Sequence, residues 1–484
     1  MGLFAGIDSS TQSTKVVLYD EEGQKVGAGS APHPQTFPPV SEQDPESWWN
    51  ALRTALGRAV EAAGVTAGDI QAISIAAQCH GLVALDASGR VLRPAKLWND
   101  TTSAPQMQHL LDVLPGSEWA ARIGSVPTSA FTVSKVLWLR DTEPESYKSL
   151  AAMLLPHDWL TWRLTGQMVT DRSEASGTGY FDASRGAYDI GILELIDADK
   201  DWALALPRVL GPTTAAGVVT AKAAQELGLR PGTLVGPGAG DQHASALGLG
   251  VRSGDVAYSF GTSGVVFSTS NNPVRDPAGI VDGVADAAGG YLPLVSTLNA
   301  ARVTDAFAQW LNVSHAELSE LALNATTAKL PVLVAYLDGE RKPNLPAATG
   351  TLAGLTTGTT RDQIARAAIE GVIFGLLRGE RALEDAGAAI TGRVIATGGA
   401  SRSFAYLQLL ADLSNRPVYL SEALEPVAAG AAIQAAACLQ ERDICEVRDA
   451  WAAKVHLASE PRPDEEAEER YNQYLAVSRF SEGA

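Results

Sequence analysis

Leu3-Phe-Ala-Gly-Ile-Asp-Ser-Ser-Thr-Gln-Ser-Thr-Lys-Val-Val-Leu-Tyr19 places two short apolar runs around a turn rich in hydroxyl groups. This pattern predicts strands over Leu3–Ile7 and Lys15–Tyr19, joined by a tight turn. The same layout returns, with negligible sequence identity, in Val256-Ala-Tyr-Ser-Phe-Gly-Thr-Ser-Gly-Val-Val-Phe-Ser-Thr269. We therefore predict two halves of related layout, each presenting one turn of a size that suits a phosphate group.

Short apolar runs alternate with longer amphipathic runs through most of the chain, and this alternation is typical of an α/β protein. Ser47–Ala63 is predicted to be a helix with one apolar face, because apolar residues recur there at helical spacing. Ile70–Ala77 is largely apolar, as in a strand buried on both faces. Glycines cluster near Leu249–Asp255. We place the domain boundary there, giving domains 1–248 and 249–484.

Composition limits the partners of the 484-residue chain. It carries 37 Lys plus Arg against 55 Asp plus Glu, a net charge of −18, which argues against nucleic acid or an anionic membrane as the main partner. We expect no signal peptide, since the first residues lack a basic region before an apolar core, and no transmembrane helix, since no apolar run of about 18 residues occurs. The three cysteines form no CxxC and have no histidine at metal-ligand spacing, so we expect neither a disulfide nor a zinc framework. We expect a soluble, cytoplasmic protein that binds small molecules, with a homodimer left open.

The run Val235-Gly-Pro-Gly-Ala-Gly-Asp-Gln-His-Ala-Ser245 delivers one carboxylate, Asp241, behind three alternate glycines. Such glycines let the backbone approach a ligand closely, and the helix predicted to follow offers unpaired N–H groups. Asp241 could accept a proton from a substrate hydroxyl. It could equally serve as a helix cap, a position that aspartate favours.

Three further segments have both a functional and a structural interpretation. Asp8-Ser-Ser-Thr-Gln-Ser-Thr-Lys15 and Gly261-Thr-Ser-Gly264 could bind phosphate oxygens, with Asp8 near Mg²⁺, or could be ordinary turns. Val394-Ile-Ala-Thr-Gly-Gly-Ala-Ser-Arg-Ser403 runs from a strand through a glycine pair into a predicted helix over Phe404–Leu413, which suits a nucleotide or a tight turn. The chain contains no GxxxxGK[ST] and no GxGxxG, so a Walker-type ATPase is excluded and a Rossmann dehydrogenase is disfavoured.

His80 lies in Gln78-Cys-His-Gly81, directly after the predicted strand Ile70–Ala77. Open α/β sheets bind ligands at the carboxyl ends of their strands. His80 could therefore be a hydrogen-bonding partner for a polar substrate, or a structural histidine.

Together these motifs resemble the FGGY carbohydrate kinases, relatives of actin and hexokinase, along nearly the whole chain. The resemblance rests on the two phosphate-type turns and on five further segments: Ser41-Glu-Gln-Asp-Pro-Glu-Ser-Trp-Trp49, His80-Gly81, Leu97-Trp-Asn-Asp100, Tyr336-Leu-Asp-Gly-Glu-Arg341 and Thr397-Gly-Gly-Ala400. It implies a two-domain ribonuclease-H-like α/β fold of the actin/hexokinase type, with ATP in the cleft between the domains.

The resemblance also implies roles for particular residues. Asp241 would be the catalytic base, and Asp8 would lie near the transferring phosphoryl group. Both carboxylates would lie near Mg²⁺ and would bind it either directly or through water. The expected cofactors are ATP and Mg²⁺. The implied sugar-site residues are Cys79, His80, Asp100 and Gln242. The implied ATP-site residues are Thr11, Gln12, Ser13, Thr262, Ser263, Gly398, Gly399 and Ser403.

The implied substrate is a ketopentose phosphorylated on its terminal hydroxyl, with D-xylulose first among the candidates. Three positions depart from the pattern of the kinases that act on xylulose: Gln242 stands where Asn is usual, Cys79 where Met is frequent, and Asp100-Thr-Thr where Asp-Gly-Arg is usual. Cys79-His80 replaces the Arg-Glu pair of glycerol kinases. Ribulose, glycerol and erythritol remain alternatives, as does a non-enzymatic sugar-sensing protein of the actin-like superfamily.

Overall fold

A computed structural model describes residues 2–483, which form two compact units. The first unit comprises residues 2–250, Gly283–Tyr291 and Ala423–Ala453. The second comprises Val251–Asp282, Leu292–Glu422 and residues 454–483. Neither unit is a single run of the chain.

The strands follow one another along the chain as β1 (Leu3–Ser9), β2 (Ser13–Tyr19), β3 (Lys25–Pro32), β4 (Glu42–Gln43), β5 (Ile70–Ala77), β6 (Val83–Leu85), β7 (Ala95–Lys96), β8 (Ala152–Leu154), β9 (Val169–Asp171), β10 (Phe181–Asp182), β11 (Ala187–Tyr188), β12 (Arg208–Leu210), β13 (Gly217–Val218), β14 (Leu234–Val235), β15 (Ala239–Gly240), β16 (Val256–Phe260), β17 (Gly264–Ser268), β18 (Asp282–Ala285), β19 (Tyr291–Thr297), β20 (Val332–Val334), β21 (Thr351–Ala353), β22 (Val394–Thr397), β23 (Val418–Ser421) and β24 (Val455–Ser459).

The helices are α1 (Pro45–Ala63), α2 (Ala104–Val113), α3 (Gly116–Ile123), α4 (Thr132–Thr142), α5 (Pro144–Lys148), α6 (Pro156–Thr165), α7 (Arg172–Ala175), α8 (Ile190–Leu193), α9 (Trp202–Ala205), α10 (Ala221–Leu227), α11 (Asp241–Gly248), α12 (Ala301–Leu311), α13 (His315–Asn324), α14 (Arg361–Asp385), α15 (Phe404–Ser414), α16 (Pro426–Gln440), α17 (Ile444–Trp451) and α18 (Ala467–Gly483). Short 3₁₀ helices span Ala67–Asp69 and Gly399–Arg402. No helix within residues 2–483 is long and apolar enough to cross a bilayer.

The first unit is built on a mixed sheet in the order β13-β14-β5-β1-β2-β3, with β15 also paired to β5. Strands β1, β2 and β3 are antiparallel, whereas β5 runs parallel to β1. Alternate residues of a strand face opposite sides of its sheet. Accordingly Leu3, Ala5 and Ile7 pack in the cluster that includes α1, while Phe4 packs with α16 and α17. The sheet is therefore covered by helices on both faces, as the α/β pattern predicts.

Helix α1 begins and ends where its local sequence dictates. The Asp44 side chain accepts a hydrogen bond from the N–H of Glu46, Pro45 opens the helix, and Gly64 closes it at φ 67°. The predicted apolar face is confirmed, because Trp48, Leu52, Leu56 and Ala59 are all buried.

The segment Ala423–Ala453 belongs to the first unit, whereas the prediction of two contiguous domains placed it in domain 249–484. The reason is steric fit between small residues. A Cβ on Gly6 would lie 1.8 Å from the carbonyl oxygen of Ala428, and a Cβ on Gly430 would lie 1.9 Å from that of Ala244. Helix α16 is alanine-rich, so its backbone packs directly on β1 and α11. Such close packing between distant segments has no periodic signal in the sequence.

The second unit has its own sheet, which includes the order β19-β17-β16-β22-β23-β24. Strands β16 and β17 form the predicted antiparallel pair, and β22 runs parallel to β16. Val256, Tyr258 and Phe260 are fully buried in a large apolar cluster with α14 and α15. The two sheets thus repeat the layout of an antiparallel hairpin beside a parallel strand, which confirms the related design of the two halves.

Candidate active site

Strand β5 sets the two candidate catalytic carboxylates side by side. Asp8 of β1 pairs with Ala76 of β5 on one side, and Ala239 of β15 pairs with Ala76 on the other. Asp241 follows two residues after Ala239, as the first residue of α11. The predicted turn and the predicted helix start therefore meet at the carboxyl end of β5, where α/β sheets bind ligands.

Burial raises the pKa of both acids, and a neighbouring negative charge adds to the rise for Asp8. Burial raises the pKa of Asp8 to about 7, and the negative charge of Asp241 adds to the rise, while Lys15 opposes it. Asp8 Oδ1 is buried and has no hydrogen-bond partner among the described residues. Burial also raises the pKa of Asp241, although hydrogen bonds from Cys79 and from the N–H of Gln242 partly offset it. A raised pKa makes a carboxylate a better proton acceptor.

Asp241 is not the cap of α11. The capping position is Gly240, and Asp241 Oδ1 accepts a hydrogen bond from the N–H of Gln242 at 2.7 Å. Cys79 Sγ lies 3.4 Å from the same oxygen and donates to it. The sequence left open that Asp241 caps the helix. Its carboxylate accepts a hydrogen bond from one helical N–H, but Asp241 does not occupy the cap position.

The glycine run before Asp241 is required by close approach. A Cβ on Gly240 would lie 2.4 Å from Glu174 Oε2, 2.6 Å from His243 Nδ1 and 2.7 Å from Cys79 Sγ, so no larger residue fits without displacing them. The backbone of Gly238 is held by Gln434 of α16, whose side chain accepts from its N–H at 3.0 Å and donates to its carbonyl oxygen at 2.9 Å. The segment that carries Asp241 is therefore fixed from both sides.

The first predicted phosphate turn is partly held by side chains from other segments. Thr11 Oγ1 donates to Gln78 Oε1 at 3.1 Å and accepts from Trp98 Nε1 at 2.9 Å. The carbonyl oxygen of Gln12 accepts from the N–H of His33, and its side chain is exposed. The carbonyl oxygen of Ser13 accepts from the N–H and hydroxyl of Ser10. The hydroxyl of Thr11 thus faces the segment after β5, while the Gln12 side chain points to solvent.

Lys15 faces Asp8 across the β1–β2 pair and binds Glu425, with Lys15 Nζ 2.8 Å from Glu425 Oε2. Burial lowers the pKa of Lys15, but its hydrogen bond and ion pair with Glu425 outweigh that and leave the pKa raised. Lys15 is therefore a permanent positive charge close to the otherwise acidic pair.

His80 adopts a left-handed backbone conformation, with φ 65°. Its N–H donates to Glu174 Oε1 at 2.5 Å, and its Nδ1 lies 2.6 Å from the carbonyl oxygen of Gly177. Its ring stacks on Phe131, with ring centroids 4.8 Å apart. A left-handed conformation is uncommon outside glycine and is found at sites whose surroundings enforce it. The imidazole is therefore held in one orientation directly beside Cys79.

The Asp100 carboxylate accepts four hydrogen bonds from nearby protein groups. Its Oδ1 accepts from Lys96 Nζ at 3.0 Å, from the N–H of Thr102 at 3.0 Å and from the hydroxyl of Thr102 at 2.5 Å. Its Oδ2 accepts from the N–H of Ser41 at 2.9 Å, and the residue is 0 % exposed. No hydrogen bond joins it to Cys79, His80 or Gln242. This arrangement favours a role in holding the loop after β7.

Gln242 is partly exposed on the first turn of α11. Within the described part of the chain, its side-chain amide has no hydrogen-bond partner. Gln242 therefore has an amide available to a bound hydroxyl, next to Asp241.

The second unit brings its own candidate residues together at the end of β16. Thr262 and Ser263 form the turn between β16 and β17, and Thr262 is exposed. Gly398 follows β22 at φ 89°, and a Cβ there would lie 2.6 Å from the carbonyl oxygen of Phe260, so glycine is required. Gly399 is exposed and has open space where a Cβ would stand.

Ser403 precedes α15, which covers the predicted range and ends at Ser414. The Ser403 hydroxyl lies 2.9 Å from the hydroxyl of Ser319 in α13. The strand, glycine pair and helix predicted from residues 394–413 are thus all present in the second unit.

Several residues that contact the candidate catalytic groups carry no signal in the sequence. Glu174 and His243 lie against Cys79, and Gln434 and Glu425 come from the late segment that joins the first unit. Gln434 stands out only as a polar residue in an alanine-rich run, and Glu425 only as the residue before a helix-starting proline. Their partners are set by the tertiary fold.

Comparisons with known proteins show which family the whole chain resembles. The family model described as the N-terminal domain of the FGGY family of carbohydrate kinases matches residues 3–248, and that of the C-terminal domain matches residues 256–439. A xylulose kinase of Streptomyces coelicolor is 44% identical over 451 residues, covering 93% of this chain and 90% of that relative. A xylulose kinase of Escherichia coli is 34% identical over 427 residues, covering 86% of this chain and 85% of that relative.

A solved structure of xylulose kinase from Bifidobacterium adolescentis has a TM-score of 0.87 and 37% identity, covering 98% of this chain and 99% of that chain. A Plasmodium falciparum glycerol kinase structure with ADP has a TM-score of 0.86 at 21% identity, covering 99% and 98% of the two chains, and this similarity concerns the fold alone. The predicted two-domain α/β fold is thereby confirmed.

Proposed function

This chain belongs to the FGGY family of carbohydrate kinases, and from that premise we propose that it transfers the γ-phosphoryl group of ATP to the terminal hydroxyl of D-xylulose. The products are D-xylulose 5-phosphate and ADP. The observation that carries the proposal is the pair Asp8 and Asp241 at the end of β5, two partly desolvated carboxylates close enough for one charge to raise the pKa of the other.

Asp241 acts as the general base in this proposal. The sugar hydroxyl oxygen forms a bond to the γ-phosphorus, its proton passes to Asp241, and the bond from the γ-phosphorus to the bridging oxygen of ADP breaks. Phosphoryl transfer depends mainly on positioning and on charge stabilisation. The fixed glycine run and the Gln434 clamp supply positioning for Asp241, and Lys15 supplies positive charge close to Asp8.

The residues at Asp8 fit Mg²⁺. Mg²⁺ prefers carboxylate oxygens and retains several waters, and Asp8 Oδ1 is a buried oxygen without a protein hydrogen-bond partner. Asp8 would hold the ion, directly or through water, with Asp241 alongside. When bound with ATP, Mg²⁺ offsets negative charge on the phosphate oxygens.

Backbone and hydroxyl groups supply the rest of the proposed ATP site. Thr11, Gln12 and Ser13 in the first unit, and Thr262 and Ser263 in the second, would surround phosphate oxygens. Gly398, Gly399 and Ser403 would lie near the adenosine, since Gly399 has open space where a side chain would stand. These assignments come from the family resemblance and from the turn geometry of each unit.

His80, Cys79 and Gln242 would line the sugar site. The fixed His80 ring and the unpaired Gln242 amide give two hydrogen-bonding groups beside Asp241. The relatives named xylulose kinase favour D-xylulose as the sugar. Asp100 would act indirectly, by holding the loop after β7 in place.

A coupled ADP-release assay tests the proposal. Purified protein with ATP and Mg²⁺ is offered D-xylulose, D-ribulose, glycerol, ribitol and erythritol in parallel, with a sugar-free reaction as the control. We expect ADP release to depend on the sugar, with the highest kcat/KM for D-xylulose. A higher kcat/KM with another sugar would identify that sugar, rather than D-xylulose, as the substrate. Sugar binding without ADP release would favour a sensing protein.

A further inference from the structure

A buried cluster of three potential metal ligands lies beside Asp241. Cys79, Glu174 and His243 each direct one donor atom so that these atoms lie within 4.8 Å of one another. Glu174 is 0 % and His243 3 % exposed. Cys79 follows β5, Glu174 lies in α7 and His243 in α11, so elements distant in sequence converge here. The spacing rule that excluded a zinc framework considers only nearby residues and could not reveal this cluster.

The donor atoms face one small space. The Cβ that Gly240 lacks would be 2.4 Å from Glu174 Oε2, 2.6 Å from His243 Nδ1 and 2.7 Å from Cys79 Sγ. The absence of a side chain on Gly240 is therefore what lets the three atoms approach one another this closely. Zinc bonds of about 2.0–2.3 Å would require the three side chains to adjust around the ion.

Two of the three donor atoms have no other partner. Among the described residues, neither ring nitrogen of His243 has a hydrogen-bond partner, and buried Glu174 Oε2 has none besides the neighbouring Cys79 thiol. Buried polar groups are nearly always paired, so orphaned atoms that face a common space indicate an absent ligand.

Asp241 Oδ1 lies close enough to Cys79 Sγ to be a fourth donor atom. Cys79 Sγ and Asp241 Oδ1 are 3.4 Å apart. On a tetrahedral zinc with Zn–S of about 2.3 Å and Zn–O of about 2.0 Å, sulfur and oxygen lie about 3.5 Å apart. The existing separation thus matches that of two ligands on one zinc ion. Thiolate and imidazole select zinc over Mg²⁺, which prefers oxygen ligands and waters.

We propose that Cys79, Glu174 and His243 form a Zn²⁺ site in which Asp241 Oδ1 is the fourth ligand, and that occupancy of this site inhibits the enzyme. Binding displaces the thiol proton of Cys79, and that of Glu174 where it carries one, to the solvent. Inhibition follows because an Asp241 oxygen bound to Zn²⁺ no longer accepts the substrate proton. This second part rests on the proposed function, whereas metal binding does not.

Binding is tested without catalysis. Chelator-treated full-length protein is titrated with Co²⁺ as a spectroscopic substitute, and with Zn²⁺ in competition. We expect one equivalent of Co²⁺ to give a thiolate-to-cobalt charge-transfer band with visible bands of four-coordinate intensity, and Zn²⁺ but not excess Mg²⁺ to abolish them. Stoichiometric binding without a charge-transfer band, or no binding, would overturn the site.

Variants identify the ligands. Cys79→Ser should lose the charge-transfer band, and His243→Ala and Glu174→Gln should each weaken Zn²⁺ binding by about tenfold or more, because even loss of a supporting contact costs about 10–100-fold in affinity. The matched controls are Cys445→Ser, at a partly exposed cysteine, and His109→Ala, at an exposed histidine. Unchanged affinity in His243→Ala and Glu174→Gln would overturn the assignment. If His243→Ala does not fold, the near-isosteric Cys79→Ser and Glu174→Gln decide the question.

Inhibition is measured separately, with free Zn²⁺ set by a metal buffer because ATP itself binds zinc. We expect wild-type turnover to fall as the site fills, and His243→Ala to lose this sensitivity relative to its own zinc-free rate. Zinc binding without inhibition would overturn the proposed inhibition but not the proposed Zn²⁺ site. The absence of sugar-dependent activity would contradict the proposed function, whereas the cobalt spectrum would still test the metal site.

Discussion

Asp100→Asn tests whether Asp100 holds the loop after β7 or contacts the sugar. In the folded protein the carboxylate accepts four hydrogen bonds, one of them from the buried ammonium of Lys96. Asparagine has one oxygen and one NH₂ group. If its oxygen replaces Oδ1, the NH₂ group must face the N–H of Ser41, and that hydrogen bond becomes a repulsive contact between donors.

The expected loss of stability follows from these contacts. Removing one partner of a buried ion pair typically costs about 3–5 kcal/mol. Lys96 is 1 % exposed, but it keeps Glu42 Oε1 at 2.9 Å, so we expect the lower end, about 3 kcal/mol. At about 2–4 °C for each kcal/mol, the midpoint of the transition that unfolds the first unit should fall by roughly 6–12 °C.

The loss should depend on pH. Burial opposes ionisation of Asp100, but hydrogen bonds from Thr102, Ser41 and Lys96 outweigh it and hold its pKa below the usual value. A lowered folded-state pKa contributes stability above the unfolded-state pKa of about 3.9 and loses it as the pH falls through the folded-state value. The difference between wild type and variant should therefore be full at pH 7 and should shrink below about pH 4.

Thermal unfolding followed by far-ultraviolet circular dichroism measures the shift, with steady-state kinetics on the same samples. Asp141→Asn is the matched control, since Asp141 pairs with Arg140 at 2.8 Å on the surface and should change stability by less than about 1 kcal/mol. A variant that melts within a degree of wild type at pH 7, yet has a raised KM for the sugar, would refute the reasoning and place Asp100 at the substrate.

Three further substitutions test the candidate site. Asp241→Asn should retain sugar binding and lower kcat by roughly 10²–10⁴-fold, the usual contribution of a general base; turnover above about a third of wild type would remove Asp241 from that role. His80→Ala should raise the KM for the sugar and leave that for ATP nearly unchanged, whereas equal weakening of both would mark the fixed ring as structural. Gln242→Asn withdraws the amide by about 1.5 Å and should raise kcat/KM for D-xylulose over smaller polyols by roughly tenfold. If wild type already prefers D-xylulose and the variant is no better, Gln242 is a neutral replacement.

Local patterns in the sequence were enough for the frame of the protein. The hairpins around Asp8 and Thr262, the buried strand Ile70–Ala77 and the helix predicted over Ser47–Ala63 all occur, although the helix begins earlier, at Pro45. Each depends on contiguous residues, namely alternating or continuous apolar runs, caps, and turns with hydroxyl or glycine residues. Motif resemblance likewise identified the family, since its segments are short and occur in a fixed order.

Other expectations needed the tertiary structure. Only the structure shows that the four hydrogen bonds to the Asp100 carboxylate come from Ser41, Lys96 and Thr102. Residues 423–453 lie within the domain predicted over 249–484, and the structure groups them with the first unit, where Gly6 packs on Ala428. A sequence shows which side chains can accept hydrogen bonds or pack closely, but not which distant groups will reach them.

The sequence alone placed Asp8 at the end of a strand and Asp241 at the start of a helix behind three glycines. Only the tertiary structure brought both to the carboxyl end of β5, raised the pKa of Asp8 to about 7 and gathered Cys79, Glu174 and His243 around Gly240. The physical reason is that strand and helix formation depend on neighbours along the chain. Desolvation and contact between charges depend instead on which strands pair and in what register, and no local pattern specifies either.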